Sequence, residues 1–186
     1  MGVLAAHAIL TMPTTRRRAL LTLGVLLVPG MRVRAQVDPT ALKAVFLFNF
    51  AQFVEWPASA FPDANAPLVV GVLGLDPFGK ALDEVLRNER ARSRRITLQR
   101  FKQLSEVGPC HILYISRSEA SHLDEVLQEL QGRPVLTVAE TDDFARRGGM
   151  IQLITERKVR LRINLKAAKS AGLSISAKML QLAEVI

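Results

Sequence analysis

Reactive side chains are sparse in this chain. Three histidines occur. His7 lies in a segment read below as a leader, which leaves His111 and His122. His111 stands in the apolar run Cys110-His111-Ile112-Leu113-Tyr114-Ile115, and His122 near the start of an amphipathic stretch. Neither belongs to an H-x-x-x-H or C-x-x-C spacing, so no metal site is expected. Cys110 is the only cysteine, which rules out an internal disulfide. An odd thiol can pair between chains or stay reactive, but at the head of an apolar run it reads as a small buried hydrophobe. No serine sits in G-x-S-x-G. The carboxylates Glu55, Glu140, Asp142 and Asp143 are scattered, and acid–base work would require the fold to bring two together. The expectation is a protein that binds rather than one that turns over a substrate, with no catalytic residue and no cofactor.

Two stretches have the chemistry of binding. Gly71-Val72-Leu73-Gly74-Leu75-Asp76-Pro77-Phe78-Gly79 follows a strand pattern and opens a helix pattern, where free backbone N–H groups can hold an anion. Gly71, Gly74, Asp76 and Gly79 are therefore candidate ligand-loop residues. The spacing fits neither the dinucleotide fingerprint nor a phosphate loop, and Asp76 would compete with an anion. A tight turn packing helix on sheet is the simpler expectation. Arg87, Arg90, Arg92, Arg94, Arg95, Arg100 and Lys102 form the densest basic run, suited to an acidic partner face or to plain solvation. Only Phe101 beside it offers a stacking surface for a base. No nucleic-acid partner is expected.

The elements that must position these residues begin after a leader. Arg16-Arg17-Arg18 precedes an apolar run at residues 19–28, then Pro29-Gly30 and Val33-Arg34-Ala35. That order is the layout of a cleaved signal peptide. A run of about ten residues is too short to span a bilayer, which needs about 20. Residues 15–21 fit a twin-arginine signal only loosely, so the general secretory route is expected. The residues before Met12 add nothing to the layout, which makes Met12 a second candidate start. The leader is assigned to residues 1–35, with a periplasmic domain at 36–186. The whole chain carries 25 basic against 17 acidic side chains, a net +8. Arg16, Arg17, Arg18, Arg32 and Arg34 fall in the leader, which contains no acidic residue. The remainder has 20 against 17, a net +3. That is an ordinary balance for a soluble domain, not a nucleic-acid footprint. About 150 residues is one domain with a single core.

Within it, residues 39–56 read as a helix stopped by Pro57. A stripe of Leu42, Val45, Phe46, Asn49, Phe50 and Phe53 is expected to face the core, with Leu47 and Phe48 off it. Residues 68–73 form a continuous apolar strand, as in a sheet covered on both faces. Asp76 and Pro77 read as cap and first position of a helix with Phe78, Leu82 and Val85 inside. Strands follow at 95–101, 112–115 and 134–138, a helix at 118–131, and a short helical turn at 142–146. A closing hairpin is expected from 150–155 and 159–165, then a terminal helical pattern through Met179, Leu180, Leu182, Ala183 and Val185. Strands alternating with helices imply a mostly parallel sheet. The expectation is a single three-layer α/β domain, its central sheet of five or six strands flanked by helices.

Taken in order, these segments resemble the YfiR family of exported bacterial proteins. The opening motif is Phe48-Asn49-Phe50-Ala51-Gln52-Phe53-Val54-Glu55-Trp56-Pro57. Gly71-Val72-Leu73-Gly74 with Asp76-Pro77-Phe78-Gly79, then Cys110 to Ile115, Pro134-Val135-Leu136-Thr137-Val138 and Gly148-Gly149-Met150-Ile151 continue it. Ile163-Asn164-Leu165, Ala167-Ala168, Ala171-Gly172-Leu173 and Ile175-Ser176 close it, so the resemblance spans the mature chain. It implies a periplasmic repressor that holds an inner-membrane diguanylate cyclase inactive through the cyclase's periplasmic domain. It further implies an outer-membrane lipoprotein that sequesters the repressor, so that envelope stress raises cyclic di-GMP. The chain departs from the pattern twice. It lacks the cysteine pairs that form disulfides in the best understood member. Leu161-Arg162 stands where relatives commonly carry an aromatic and then an acidic residue, so the partner here can differ. A partner or homodimer surface is accordingly expected at Leu47, Phe48, Arg160 and Arg162. The competing reading is a periplasmic small-molecule sensor using the loop Gly71 to Gly79.

Overall fold

A computed structural model describes residues 38–156 and 158–186. The expected leader lies outside them. The first helix, α1 (Pro39–Phe53), starts where its sequence provides a cap: the Asp38 carboxylate accepts from Thr40 N at 2.9 Å, and Pro39 takes the first turn. It ends where the chain becomes extended at Val54, ahead of Pro57. Its buried residues are Ala44, Leu47, Phe50 and Ala51, while Val45 is 41% exposed. The buried face is thus turned from the expected stripe. α1 is apolar on nearly every side, so hydrophobic periodicity selects no face. Two alanines instead let the backbone approach its neighbours closely.

The strands after α1 are β1 (Val54–Glu55), β2 (Leu68–Leu73), β3 (Arg90–Ala91), β4 (Arg94–Phe101), β5 (Ile112–Ile115), β6 (Leu136–Ala139), β7 (Ile151–Thr155), β8 (Val159–Ile163), β9 (Ser174–Ile175) and β10 (Ala183–Val185). Between them lie α2 (Lys80–Leu86), α3 (Leu123–Glu129), α4 (Leu165–Ser170) and α5 (Ala177–Leu180). Among the described residues one sheet has eight strands in the order β10-β8-β7-β6-β5-β2-β4-β3. The run β4-β2-β5-β6-β7 is parallel, whereas β7–β8 and β4–β3 are antiparallel. β10 lies parallel to β8. A separate two-stranded ladder joins β1 to β9.

The α/β class and the mostly parallel sheet are as read from the sequence. The strand count is not. The sheet is larger than five or six strands and is mixed, because the two- and three-residue strands β3 and β10 are too short to show a period. The terminal segment is not one helix: α5 is a single turn and residues 183–185 form β10. Asp76 does not cap α2, which begins four residues later with Gly79 in the cap position. Its carboxylate accepts from Phe78 N at 2.7 Å and closes a turn.

Alternation along the parallel strands sends side chains into two apolar clusters. Val70, Val72, Ile112, Tyr114, Leu136 and Val138 join α1 and α2 in the larger one, together with Ile151, Leu161 and Ile163. Leu73, Leu113, Ile115 and Ala139 join Leu123, Val126, Leu130 and Phe144 in the other. The continuous apolar runs in the sequence follow from burial on both faces. No helix among the described residues is long and apolar enough to cross a membrane.

Candidate functional site

The carboxyl ends of β2 and β5 mark the point where the strand order reverses, the usual ligand crevice of an open α/β sheet. The predicted ligand loop lies there and is tied down by its own protein. A Cβ on Gly71 would stand 2.9 Å from both the Leu113 and Phe101 side chains, so this glycine lets the sheet pack. Gly74 has φ +85°, and a Cβ there would come within 2.3 Å of Ser118 Oγ. Its N–H donates to Phe101 O at 2.9 Å, and Leu75 N–H donates to Ser118 Oγ at 3.0 Å. With Phe78 N–H given to Asp76, three of the loop's donors are committed. Arg100 completes the closure, donating to Asp76 Oδ2 at 2.7 Å, to Asp83 at 2.6 Å and to Gly79 O at 3.1 Å. The Asp83 and Asp76 carboxylates raise the Arg100 pKa, and the Arg100 hydrogen bond lowers that of Asp83. The simpler sequence reading, a turn that packs the helix on the sheet, describes this geometry.

Beside that closed crevice is a polar cluster that sequence reasoning missed. Lys43 of α1 donates from Nζ to Glu140 Oε1 at 2.7 Å, and Tyr114 Oη donates to the same oxygen at 3.2 Å. Glu140 is 8% exposed. Phe78 meets the Tyr114 ring edge-on at 4.7 Å, and Arg117 donates to Glu140 O at 3.3 Å. Burial, then the Glu140 charge, pushes the Tyr114 phenol above its ordinary range. The cluster joins α1 to the ends of β5 and β6. One sequence signal pointed to it: Lys43 is the lone charge in α1, and a charge in an apolar helix requires a partner. Two of the other carboxylates named from sequence also meet cations rather than one another, Glu55 with Arg92 and Asp143 with Arg146.

The residues expected at a partner surface are divided by the fold. Leu47 is fully buried in the α1 core face and offers no surface, which corrects its placement off the core stripe. Phe48 is half-buried against the same cluster, and the exposed Val45 shares the helix. Arg160 and Arg162 are on β8, paired with Glu156 at 2.9 Å and with Glu184 of β10 at 3.0 Å. The Arg162 hydrogen bond lowers the Glu184 pKa. Among the described residues no hydrogen bond or ion pair joins this pair of arginines to Leu47 or Phe48. Much of the basic run is used internally. Arg94 donates to Asp63 O and Ala66 O and lies 3.7 Å over the Phe61 ring, while Arg92 and Arg100 hold carboxylates.

His111 is a structural residue with both ring nitrogens assigned. Val69 N–H donates to Nδ1 at 3.0 Å, so the ring hydrogen is on Nε2 and is given to Ala60 O at 3.1 Å. Trp56 Nε1 donates to the His111 carbonyl at 3.0 Å, and Phe61 stacks on the ring at 4.3 Å. Burial lowers the His111 pKa. The Phe48–Pro57 and Cys110–Ile115 motifs therefore meet in the core. Burial pushes the Cys110 thiol up to about 11, and His122 Nδ1 shares a hydrogen bond with Ser121 Oγ at 3.3 Å. Asn164, from a third motif, caps α4 by accepting from Ala167 N at 2.9 Å and donates to Ala145 O at 2.9 Å. Among the described residues no three His, Cys, Asp or Glu side chains converge to hold a metal.

The motif residues thus carry the fold more than any reactive site. None of the curated proteins compared matches the chain. Residues 40–184 match the protein family described as YfiR/HmsC-like. A match over most of the chain, running from α1 to β10, makes this protein a member of the YfiR/HmsC-like family.

Proposed function

We propose that this protein is exported, trimmed near Gln36, and acts in the periplasm by docking on the periplasmic domain of a membrane diguanylate cyclase and holding that enzyme inactive. The family match over residues 40–184 carries this reading. The outer side of α1 supports it, because Val45 remains 41% exposed and Phe48 half-buried on a helix with a single charge. Burying a side chain of that size against a partner contributes about 1.5–3 kcal/mol. Arg160 and Arg162 on β8 are the second contact proposed, where an acidic partner surface would share or displace Glu156 and Glu184. An outer-membrane lipoprotein that sequesters the protein and a homodimer through α1 are further roles for the same surfaces.

The test is genetic and structural together. Deleting the gene should raise cellular cyclic di-GMP, and the wild-type gene should lower it again. Phe48→Glu should fail to lower it while its purified protein keeps a cooperative melting transition. Cyclic di-GMP unchanged by the deletion would overturn the cyclase reading. N-terminal sequencing of the protein recovered from the periplasm should begin near Gln36, and an untrimmed protein confined to the cytosol would overturn export.

A further inference from the structure

A cleft of about 470 Å³ lies between α3 and α4, remote in sequence from the loop Gly71 to Gly79. Its size is within the roughly 300–1,000 Å³ range of small-molecule sites. Leu130 of one apolar cluster and Met150 of the other both line it, with Ala167 and Ala171 of the α4 region. The charged side chains around this apolar lining are two cations, Arg147 and Lys166, and one carboxylate, Asp124. Thr137 is 2% exposed, and its Oγ1 accepts the Met150 N–H at 3.0 Å. The hydroxyl hydrogen of Thr137 has no acceptor among the hydrogen bonds of the described residues, so a buried donor is left at the cleft. Lys166 lines the opening with no acidic side chain in ion-pair range among the described residues. Arg147 is held there by Asp124, which accepts from its Nη2 at 2.7 Å and its Nε at 3.2 Å. Asp124 is the only carboxylate in the lining, so two cations face one anion.

We propose that this cleft binds a small monocarboxylate with an apolar body, its carboxylate on Lys166 and the Thr137 hydroxyl and its apolar part on Leu130, Met150 and Ala167. A buried hydroxyl donor and an unpaired ammonium favour a carboxylate over a neutral or cationic group, because hydrogen bonds to an ionised acceptor are about twice as strong as neutral ones. The apolar lining favours an organic body over a free inorganic ion. The proposal is independent of the cyclase reading, since it concerns a different surface from α1.

The experiment is a titration of the isotope-labelled protein with phenylacetate, its neutral analogue phenylacetamide and inorganic phosphate, followed by amide chemical shifts. Phenylacetate should produce saturable shifts centred on Thr137, Met150 and Lys166, with phenylacetamide binding about tenfold more weakly, as the loss of one charge-assisted hydrogen bond predicts. Lys166→Gln should weaken phenylacetate by about tenfold and leave phenylacetamide unchanged. Ala167→Leu, which fills the cleft, should abolish both. Equal affinity for acid and amide would overturn the proposal, as would shifts centred elsewhere or no saturable shift in the wild-type protein. Stronger binding of phosphate than of phenylacetate would overturn the organic part of the assignment.

Discussion

His111 illustrates how an apparently reactive side chain becomes a structural one. Its Nδ1 accepts from Val69 and its Nε2 donates to Ala60, an arrangement open only to the neutral ring. A proton on Nδ1 would remove the acceptor for a strand N–H. The folded pKa is accordingly below the ordinary 6.5, with burial the leading cause. The sign follows from linkage: below about pH 6.5 the unfolded chain takes a proton that the folded chain refuses, so stability falls as pH falls through that range. Urea unfolding at pH 7.5 and 5.5 should show this loss, and His111→Gln should flatten the slope while lowering stability by about 1–3 kcal/mol at pH 7.5. An unchanged slope in the variant would remove His111 as its source. The Lys43–Glu140 pair makes a second prediction at this scale. Removing one member leaves the other as a buried charge, so Lys43→Met should cost about 3–5 kcal/mol. Lys43→Met with Glu140→Gln should recover most of that, because the amide can still accept from Tyr114. A double-mutant cycle by chemical denaturation measures the recovery, and strictly additive losses would contradict it.

At the scale of elements, the terminal segment tests how local pattern yields to pairing. The spacing of Met179, Leu182 and Ala183 suits a helix, in which Met179 and Leu182 would share the buried side. In the fold Met179 is 3% exposed and Leu182 is 76% exposed, because the chain leaves α5 after one turn to pair β10 with β8. Met179→Ala should therefore cost about 2–5 kcal/mol, whereas Leu182→Ser should stay within about 0.5 kcal/mol. Comparable losses in thermal unfolding would restore the helical arrangement. The same contrast explains which parts of the fold were legible. β2, β4, β5 and the β7–β8 hairpin are long enough for burial to leave a run or an alternation in the residues. β1, β3, β9 and β10 have two or three residues each, too few to record a period, and β1, β9 and β10 exist through backbone pairing with distant strands. α1 was legible as a helix but not in its orientation, since Val45 and Leu47 are equally apolar and only packing separates them. At the candidate site, the glycine loop was visible in the sequence, but its closure by Ser118 and Arg100 required residues 21–43 positions away. The Lys43–Glu140 contact spans a still longer separation.

At the scale of the molecule, the chain closes on itself through a small ladder away from the main sheet. β1 follows α1 directly and pairs with β9, Val54 opposite Ile175 and Glu55 opposite Ser174. Ser176 N–H donates to Phe53 O at 3.0 Å, which ties the end of α1 to the start of α5. α4 ends only four residues before β9, so the wall of the α3–α4 cleft and the proposed docking helix are joined through this ladder. The physical consequence is one of local stability. α1 is held by its core face, by Lys43 at one end and by the β1–β9 ladder at the other, while the central parallel strands are paired on both sides. Regions with few pairings open more readily than the core they rest on. Ile175 is 7% exposed in the apolar cluster that contains Leu47 and Phe50. Ile175→Ser should remove a buried apolar contact at the ladder and leave the main sheet's hydrogen bonds in place. Hydrogen exchange followed by mass spectrometry should then show faster exchange in peptides covering residues 39–55 and 174–185, with those covering β2 and β5 unchanged. Faster exchange everywhere would mean that the ladder is part of one global unfolding unit. No change in α1 would mean that its core face and Lys43 hold it without the ladder, and that the cleft and the docking helix are not mechanically joined by this route.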